Sequence, residues 1–464
     1  MNRRRIFLKQ AMLGSVAAGC AVGLSGIAQS CNGSGKGTPC ERKRKGKSVM
    51  GLRCEPLSEV RIAVIGLGRG GAAVYRLARI EGVKIPVICD LRNDRIEKTQ
   101  QYLKEAGHPE AIAFSGENDW QKICERDDID LIYNATPWEL HVPVAIHAMQ
   151  HGKHAAIEVP AATTIDDCWT LVETAETTQR HCMMLENCCY DFFELTTLNM
   201  ARNGLFGEIY HGEGGYLHSI PWLNWDKETK QPTWRLKYSQ TYVGCQYPTH
   251  GLGPVSQLMN INKGDRFDFL SSMSTNQYGI TLYAEETFGK NSPEAKDVYR
   301  LGDMNTTLIR TVNGHTIMVQ HDITSPRPYD RLYKIIGTKG YATKYPEERL
   351  AFSPDHEKFL HLEEFKAVME KYEHPLIKLV GEKAKQVGGH GGMDFIMDWR
   401  LIYCLRNGLP LDQNVYDAAA WSSIVGLSRK AIENKTLVDV PDFTYGDWNK
   451  KNLWPEVDME NIFF

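Results

Sequence analysis

Three glycines near residue 70 have the spacing of a diphosphate-binding loop. Gly66, Gly68 and Gly71 form the pattern G-x-G-x-x-G directly after the apolar run Val60–Ile65. In this pattern Gly66 allows a tight turn, Gly68 lets a ligand approach the backbone, and Gly71 lets the following helix pack on its strand. A diphosphate is then expected at the helix N-terminus, where free N–H groups and the helix dipole favour negative charge.

An acid follows the next apolar run. Residues 85–89 lead into Asp90, about twenty residues beyond the glycines, where the pattern expects a carboxylate that accepts hydrogen bonds from an adenosine ribose. Such a carboxylate repels a 2′-phosphate. Strand, glycines, helix, second strand and acid occur in order, and together they predict a dinucleotide site that prefers NAD to NADP.

Alternating strands and helices extend this unit into an NAD-binding Rossmann domain over residues 59–185. Asn134 follows the third apolar strand, at the edge of the sheet where open α/β folds bind ligands. Further strands are predicted at 129–133, 155–158 and 182–186, and helices at 93–106, 120–126, 139–151 and 165–179. With the first two strands this predicts a doubly wound parallel sheet of five strands.

Residues 186–464 differ in composition and predict an α+β domain that binds substrate. Aromatic residues recur near its start, and aromatic faces pack well on the apolar side of sugar rings. Segments 306–312 and 315–322, separated by Asn313 and Gly314, predict a β-hairpin, and 331–337 predicts another strand. Helices at 393–407 and 415–434 complete a domain with an open, largely antiparallel sheet.

Length and charge restrict the class of protein. The 464 residues exceed the usual size of a single hydrophobic core, so two domains with additional segments are expected. With 54 basic and 57 acidic side chains, the net charge is close to zero. This balance argues against nucleic acid or a membrane surface as the partner.

The N-terminus predicts export. Arg3, Arg4 and Arg5 precede an uncharged run at 11–28, as in a signal peptide, and the arginines resemble a twin-arginine signal over residues 1–30. The expected partner is the twin-arginine translocase and the expected location the periplasm or cell envelope, with lipid attachment at Cys20 or Cys31 left open. Residues 31–58 predict a flexible tether.

The cysteines predict no metal site. The nine cysteines from Cys54 onward occur at irregular positions, with no CxxC pair and no Cys/His spacing of the kind that binds zinc. Cys188 and Cys189 are expected to be small buried residues.

The order GLGRGG, CD, NATPWELH and EVP resembles the glucose–fructose oxidoreductase and inositol dehydrogenase family. Two positions depart from that family. Val159 stands where the family usually has a lysine that hydrogen-bonds the hydroxyl being oxidised. Gln246 stands where it usually has an Asp, four residues before His250.

Further motifs resemble one branch of this family, the NAD-dependent α-N-acetylgalactosaminidases of glycoside hydrolase family 109. These motifs are ENCCY, TWR, YPTHGLGP, SPRPYDR and GGHGGMDF. The resemblance implies hydrolysis of terminal α-N-acetylgalactosamine from a glycan, with NAD that is reduced and reoxidised within each turnover.

The glycine pattern, the strand edge and the resemblance together imply a set of site residues. His250, Tyr247 and Tyr190 are the candidate catalytic residues, because imidazole and phenol groups can transfer protons. Expected NAD contacts are Gly66, Gly68, Arg69, Gly70, Asp90, Asn134, Trp138, His141, Glu158, Val159 and Asn187. Expected sugar contacts are Tyr216, Arg235, Tyr247, His250 and Tyr329.

Two alternatives stay open from the sequence. One is an NAD-dependent sugar or polyol dehydrogenase, which would need free exchange of NAD and lacks the usual lysine at Val159. The other is a non-catalytic, NAD-containing protein that binds glycans. Homo-oligomerisation is also left open.

Overall fold

The computed structural model describes residues 42–451, which fold around two β-sheets. The predicted signal peptide, both candidate lipid-bearing cysteines and residues 31–41 of the predicted tether lie outside this range. Within it, no helix has both the length and the apolar character that a membrane span requires.

The first sheet has six parallel strands in the order β3-β2-β1-β4-β5-β6. The strands are β1 Val60–Ile65, β2 Val83–Cys89, β3 Ile112–Phe114, β4 Leu131–Asn134, β5 His154–Ile157 and β6 Cys182–Met184. The intervening helices are α1 Leu67–Leu77, α2 Asn93–Glu105, α3 Asp119–Cys124, α4 Trp138–Gln150 and α5 Ile165–Thr178. The doubly wound fold is confirmed. The direction in which successive strands are added reverses between β1 and β4, and doubly wound sheets form a ligand-binding crevice at this point.

The sequence did not predict β3. This edge strand has three residues, of which Ile112 and Ala113 are exposed, so it lacks the apolar run that identifies the other strands.

The second sheet has eight strands in the order β13-β12-β11-β7-β10-β9-β8-β14. Only β7 and β10 pair in parallel, which confirms a largely antiparallel sheet. Its strands are β7 Ile209–Leu217, β8 Phe267–Ser274, β9 Asn305–Thr311, β10 Thr316–Asp322, β11 Lys334–Gly337, β12 Gly340–Thr343, β13 Arg349–Phe352 and β14 Val438–Asp439. The predicted hairpin is β9–β10. The strand expected from residue 331 begins only at Lys334, because Leu332 and Tyr333 have positive φ angles of 60° and 48°.

Nine helices accompany this sheet in the described residues. They are α6 Phe192–Arg202, α7 Trp234–Thr241, α8 Thr249–Leu258, α9 Gly279–Phe288, α10 Pro293–Lys296, α11 Leu362–Lys371, α12 Pro375–Val387, α13 Met393–Arg406 and α14 Val415–Asn434.

The last two helices, predicted as part of the second domain, also pack on the first sheet. Helix α14 contacts α5 and β6 on one side and α8 and β8 on the other, and Ser422 Oγ accepts a hydrogen bond from the Ala161 N–H (3.1 Å). Helix α13 is joined to α1 by a 2.7 Å bond from Arg76 Nε to the buried Asp398 carboxylate. These helices therefore form a shared core for both sheets.

Residues 44–58 correct the prediction of a flexible tether. Arg44 forms an ion pair with Glu176 of α5 (3.0 Å) and another with Asp447 near the end of the described chain (2.6 Å). Val49 and Met50 are buried in the main core. Basic and glycine residues dominate the composition of this segment, so composition predicted a tether. The two buried apolar side chains nevertheless attach the segment to the core.

Candidate active site

The glycine loop lies at the carboxyl edge of β1. Gly66 has a φ of +86°, and a Cβ at this position would lie 2.5 Å from the Ala135 carbonyl oxygen, so the turn requires glycine. Gly66 caps α1 without a side-chain hydrogen bond. The first-turn N–H groups of a helix have no intrahelical acceptor, so the loop offers donors to an anion.

The close packing of α1 on the sheet depends on Gly70 rather than Gly71. A Cβ on Gly70 would lie 2.8 Å from Val64 Cγ1 on β1, whereas one on Gly71 would meet Thr99 Oγ1 of α2 at 3.2 Å. The role that the pattern predicts for Gly71 therefore belongs to its neighbour.

Asp90 closes the loop from the end of β2. Its Oδ2 accepts a hydrogen bond from the Leu67 N–H (2.7 Å) and its Oδ1 from the Arg92 N–H (2.9 Å). Arg95, which no motif identifies, lies 3.4 Å from Oδ2, and a Cβ on Gly68 would be 3.1 Å from its Nη1. Oδ1 accepts one hydrogen bond and retains a lone pair for a ribose hydroxyl. Free helix donors beside this acid fit a dinucleotide such as NAD.

Asn134 and His141 use their side chains to shape the sheet edge. Asn134 Nδ2 donates to the carbonyl oxygens of Leu140 (3.2 Å) and His141 (3.0 Å), and its Oδ1 accepts from Thr136. The His141 ring nitrogens lie 2.8 Å from the Pro160 carbonyl oxygen and 2.9 Å from that of Thr136. We therefore assign these two predicted cofactor contacts to positioning the loop.

Glu158 and Val159 follow β5 at the same edge. Arg69 Nε lies 3.6 Å from Glu158 Oε1. The Val159 side chain is buried, and its carbonyl oxygen accepts a hydrogen bond from Trp138 Nε1 (3.2 Å). Trp138 also lies at the wall of the neighbouring cleft, so it marks the junction between the cofactor edge and the cleft.

Asn187 and Tyr190 share one 3₁₀ turn but have different surroundings. Asn187 Nδ2 donates to Asp394 Oδ1 (2.6 Å). Tyr190 donates to Asp412 (3.4 Å) and lines a separate cavity. The structure does not bring Tyr190 to the cleft, which corrects its assignment as a catalytic residue.

The cleft beside Trp138 encloses about 480 Å³, part of it open to solvent. Its walls come from the sheet edge, from the ends of β7 and β10, and from α7. The lining residues are Trp138, Tyr216, Ile220, Leu223, Asn224, Arg235, Tyr238, Ser239, Gln246, Tyr247, His321 and Ile323. Among the described residues, this lining contains no carboxylate.

Two phenols and an imidazole cluster at the cleft. The ring centroids of Tyr216 and Tyr247 are 4.7 Å apart, and His250 lies 4.9 Å from Tyr247 and 5.4 Å from Tyr216. Tyr247 also stacks on Trp138 at 6.3 Å. Burial raises the pKa of Tyr247 well above its usual value, so its phenol retains its proton in the absence of ligand.

Glu186 holds the imidazole of His250. Its Oε1 lies 2.7 Å from His250 Nδ1 and also accepts the Cys188 N–H at 3.1 Å. Burial raises the pKa of Glu186, but attraction to His250 and hydrogen bonds from His250 and Cys188 outweigh burial and lower it below the usual value. A buried anion therefore faces His250.

The sequence analysis did not identify Glu186 as the partner of His250. The related family supplies an Asp four residues before its histidine, and here Gln246 occupies that position, where its Nε2 donates to the Tyr238 carbonyl oxygen (2.9 Å). The acid comes instead from the end of the first sheet, in the motif ENCCY.

Arg235 and Tyr329 complete the predicted sugar contacts. The Arg235 guanidinium lies 4.4 Å from the Trp234 ring centroid and has no ion pair within the described chain. Burial lowers the pKa of Arg235. Tyr329 is 37 % exposed and lies 6.1 Å from Tyr216, at the rim. The structure thus brings together all five residues predicted to contact sugar.

His321 is a cleft residue that the sequence analysis missed. Its ring is 2 % exposed, and its Nδ1 has no hydrogen-bond partner in the part of the chain that the structure describes. Burial lowers the pKa of His321 to about 4. Its strand partner is Tyr216, and the alternation Ile317, Val319, His321 was the signal that placed it on the buried face.

Comparison with known proteins gives two family matches. Residues 190–450 match "Glycosyl hydrolase 109, C-terminal domain", and residues 60–186 match "Oxidoreductase family, NAD-binding Rossmann fold". An alpha-N-acetylgalactosaminidase from Bacteroides fragilis is 51% identical over 410 residues, covering 87% of this chain and 96% of the relative. A glycosyl hydrolase family 109 protein from Phocaeicola vulgatus is 48% identical over 412 residues, covering 88% and 100%.

Solved structures share the fold at low sequence identity. Levoglucosan dehydrogenase in complex with NADH has a TM-score of 0.62 and 18% identity, covering 83% of this chain and 100% of that one. An NAD-binding oxidoreductase from Klebsiella pneumoniae has a TM-score of 0.64 and 16% identity, with the same coverage.

Proposed function

The chain belongs to glycoside hydrolase family 109, and we propose that it removes terminal α-N-acetylgalactosamine from glycans with an NAD molecule that it retains. The composition of the cleft carries this proposal. Beside an NAD-binding Rossmann loop lies a cleft whose described lining has tyrosine, histidine and arginine but no carboxylate. Most glycoside hydrolases place two carboxylates across the bond, and NAD-dependent enzymes are an exception.

The loop of Gly66 and Gly68, the helix N-terminus and Asp90 hold the cofactor in this proposal. Bound NAD supplies a reversible acceptor for the hydride of a sugar carbon. Oxidation of the C3 hydroxyl to a ketone acidifies the proton on C2. Removal of that proton expels the C1 substituent and leaves a C1–C2 double bond. Water would then add at C1 while a proton returns to C2, and the hydride removed in the first step would return to C3.

His250 is the base that this chemistry requires. With Nδ1–H donated to Glu186, Nε2 keeps its lone pair and can accept a proton. The buried anion then stabilises the imidazolium. Glu186 acts through His250 and is a positioning residue.

The phenol of Tyr247 is the proton donor. Burial keeps it protonated, and the unpaired guanidinium of Arg235 stabilises the phenolate after the proton is given away. The aromatic wall of Trp138, Trp234 and Tyr238 excludes water and offers an apolar face to the sugar.

We also propose that the protein is exported in its folded state by the twin-arginine translocase. The arginines before the uncharged run support this, and a cofactor recycled in place suits a compartment without an NAD supply. Replacing Arg4 and Arg5 with lysine should leave the protein in the cytosol. Unchanged export of that variant would contradict the proposal.

The test is hydrolysis of an aryl α-N-acetylgalactosaminide in deuterated water without added NAD. The proposal expects turnover and deuterium at C2 of the released sugar, and NAD in the supernatant of the denatured protein. A dehydrogenase or a glycan-binding protein gives no such turnover. Product without deuterium would refute the elimination mechanism.

A further inference from the structure

Three side chains that do not line the cleft converge near the ends of α3 and α4. Glu125 follows α3, while His147 and His151 lie one helical turn apart at the end of α4. One ligand atom from each lies within 4.8 Å of the others. The function proposed above uses none of them.

The hydrogen bonds of this cluster leave one metal-binding lone pair free and place one proton between the other two ligands. His151 Nδ1 lies 2.8 Å from the His147 carbonyl oxygen, so Nδ1 carries the proton and Nε2 is free to bind a metal. His147 Nε2 donates a 3.1 Å hydrogen bond to Glu125 Oε1, so a metal that binds here takes the place of that proton. Two ligands of a tetrahedral zinc ion at about 2.0–2.2 Å are separated by roughly 3.3–3.5 Å, so a small shift accommodates an ion.

Charge and packing also favour a cation here. The C-terminal end of α4 carries the negative pole of the helix dipole, and Glu125 adds a full negative charge. Trp120 packs edge-on against His147 with ring centroids 5.6 Å apart, which restricts the imidazole.

We propose that Glu125, His147 and His151 form a binding site for Zn²⁺, with water completing the coordination. The nitrogen and oxygen donors suit zinc, and the i, i+4 histidine spacing places both rings on one helix face. The bound ion joins the end of α3 to α4 and stabilises the first domain by mass action. The proposed site contains no cysteine, so the cysteine spacing in the sequence did not predict it.

The test must distinguish the proposed site from a second group of potential metal ligands. Glu186, Cys188 and His250 also lie close together, but they belong to the active site. The variant His151→Asn removes one ligand of the proposed site and leaves the His147–Glu125 pair intact. His356→Asn, at an exposed histidine of the second domain, is the matched control.

The experiment is calorimetric titration of the full-length protein, without a histidine tag, with Zn²⁺ alone. One equivalent should bind to the wild-type protein and to His356→Asn, and affinity for that equivalent should fall at least tenfold in His151→Asn and His147→Asn. Cu²⁺ should quench the fluorescence of Trp120, and Trp120→Phe should lose that quenching while still binding Zn²⁺. Unchanged affinity in both histidine variants, or loss of binding in Cys188→Ser instead, would overturn the proposal.

Discussion

At the cofactor edge the glycine loop offers backbone N–H groups and one carboxylate, all within Gly66 to Asp90. Beside it, Tyr216, Arg235 and Tyr247 line the cleft and His250 packs against the two tyrosines. These four residues come from β7, α7, the loop before α8 and α8, respectively. Trp138 touches both regions. The first region depends on local backbone geometry and the second on packing between distant elements, so mutations should separate cofactor retention from turnover.

The largest effect is expected in the cleft. His250→Ala or Tyr247→Phe should lower kcat by about a hundredfold or more, because each removes a group that moves protons. The NAD content of the purified protein should not change. Tyr190→Phe is the matched control, since Tyr190 lines a different cavity, and it should keep nearly full activity. Retained activity in both cleft variants would refute the assigned roles.

The complementary change is at the cofactor edge. Gly66→Ala places a Cβ 2.5 Å from the Ala135 carbonyl oxygen at a φ of +86°, and strain of about 2 kcal/mol should weaken NAD retention roughly thirtyfold. Gly107→Ala has a similar φ of +76° but nothing within 4 Å. If both variants retain NAD equally, the loop does not depend on this close contact.

A smaller effect is expected from Glu186→Gln. The amide oxygen can still accept the Nδ1–H, but the anion that stabilises an imidazolium is lost, so kcat should fall about tenfold. Gln246→Ala should leave kcat nearly unchanged, and the opposite pattern would assign the positioning role to Gln246.

The smallest effect concerns acid stability, and it compares a buried imidazole in the cleft with one outside it. Burial lowers the pKa of His321, in the cleft, and of His181, beside the first sheet, to about 4 in each case. Between pH 4 and 6.5 the unfolded chain binds more protons, so stability falls as pH falls. Each histidine should lower the free energy of unfolding by about 1 kcal/mol when the pH falls from 7 to 5.5.

Urea unfolding at the two pH values measures this cost. His321→Asn and His181→Asn should each flatten the pH dependence by a similar amount, whereas His356→Asn, at an exposed position, should not. A pH dependence that is unchanged in His321→Asn would show that this imidazole becomes protonated in the folded state.

The cofactor edge could be predicted because its information is local. Gly66, Gly68 and Asp90 lie within one βαβ unit, and the pattern places them without knowledge of the rest of the chain. The prediction was wrong about which of two adjacent glycines allows close packing, because Gly70 rather than Gly71 lies against β1. That distinction depends on the rotation of α1, which a spacing pattern does not contain.

The cleft could be predicted only through motifs, and these motifs do not say which way a side chain points. Asn187 and Tyr190 belong to the same motif and the same 3₁₀ turn, yet Asn187 contacts Asp394 while Tyr190 lines a cavity separate from the cleft. Glu186 was assigned to a strand end, and its contact with His250 spans 64 positions in the chain. Such pairings arise from tertiary packing and leave no local pattern.

The position of α14 bears on how the chain is made. The ribosome completes the last strand of the first sheet about 230 residues before it reaches residue 415. Synthesis of these residues takes roughly 10 to 50 s at typical rates. During that time the faces of α5 and β6 that α14 covers are exposed. We expect the nascent chain to engage chaperones through these faces, and a chain truncated before Val415 to remain a target for proteases even though its whole Rossmann unit has been synthesised.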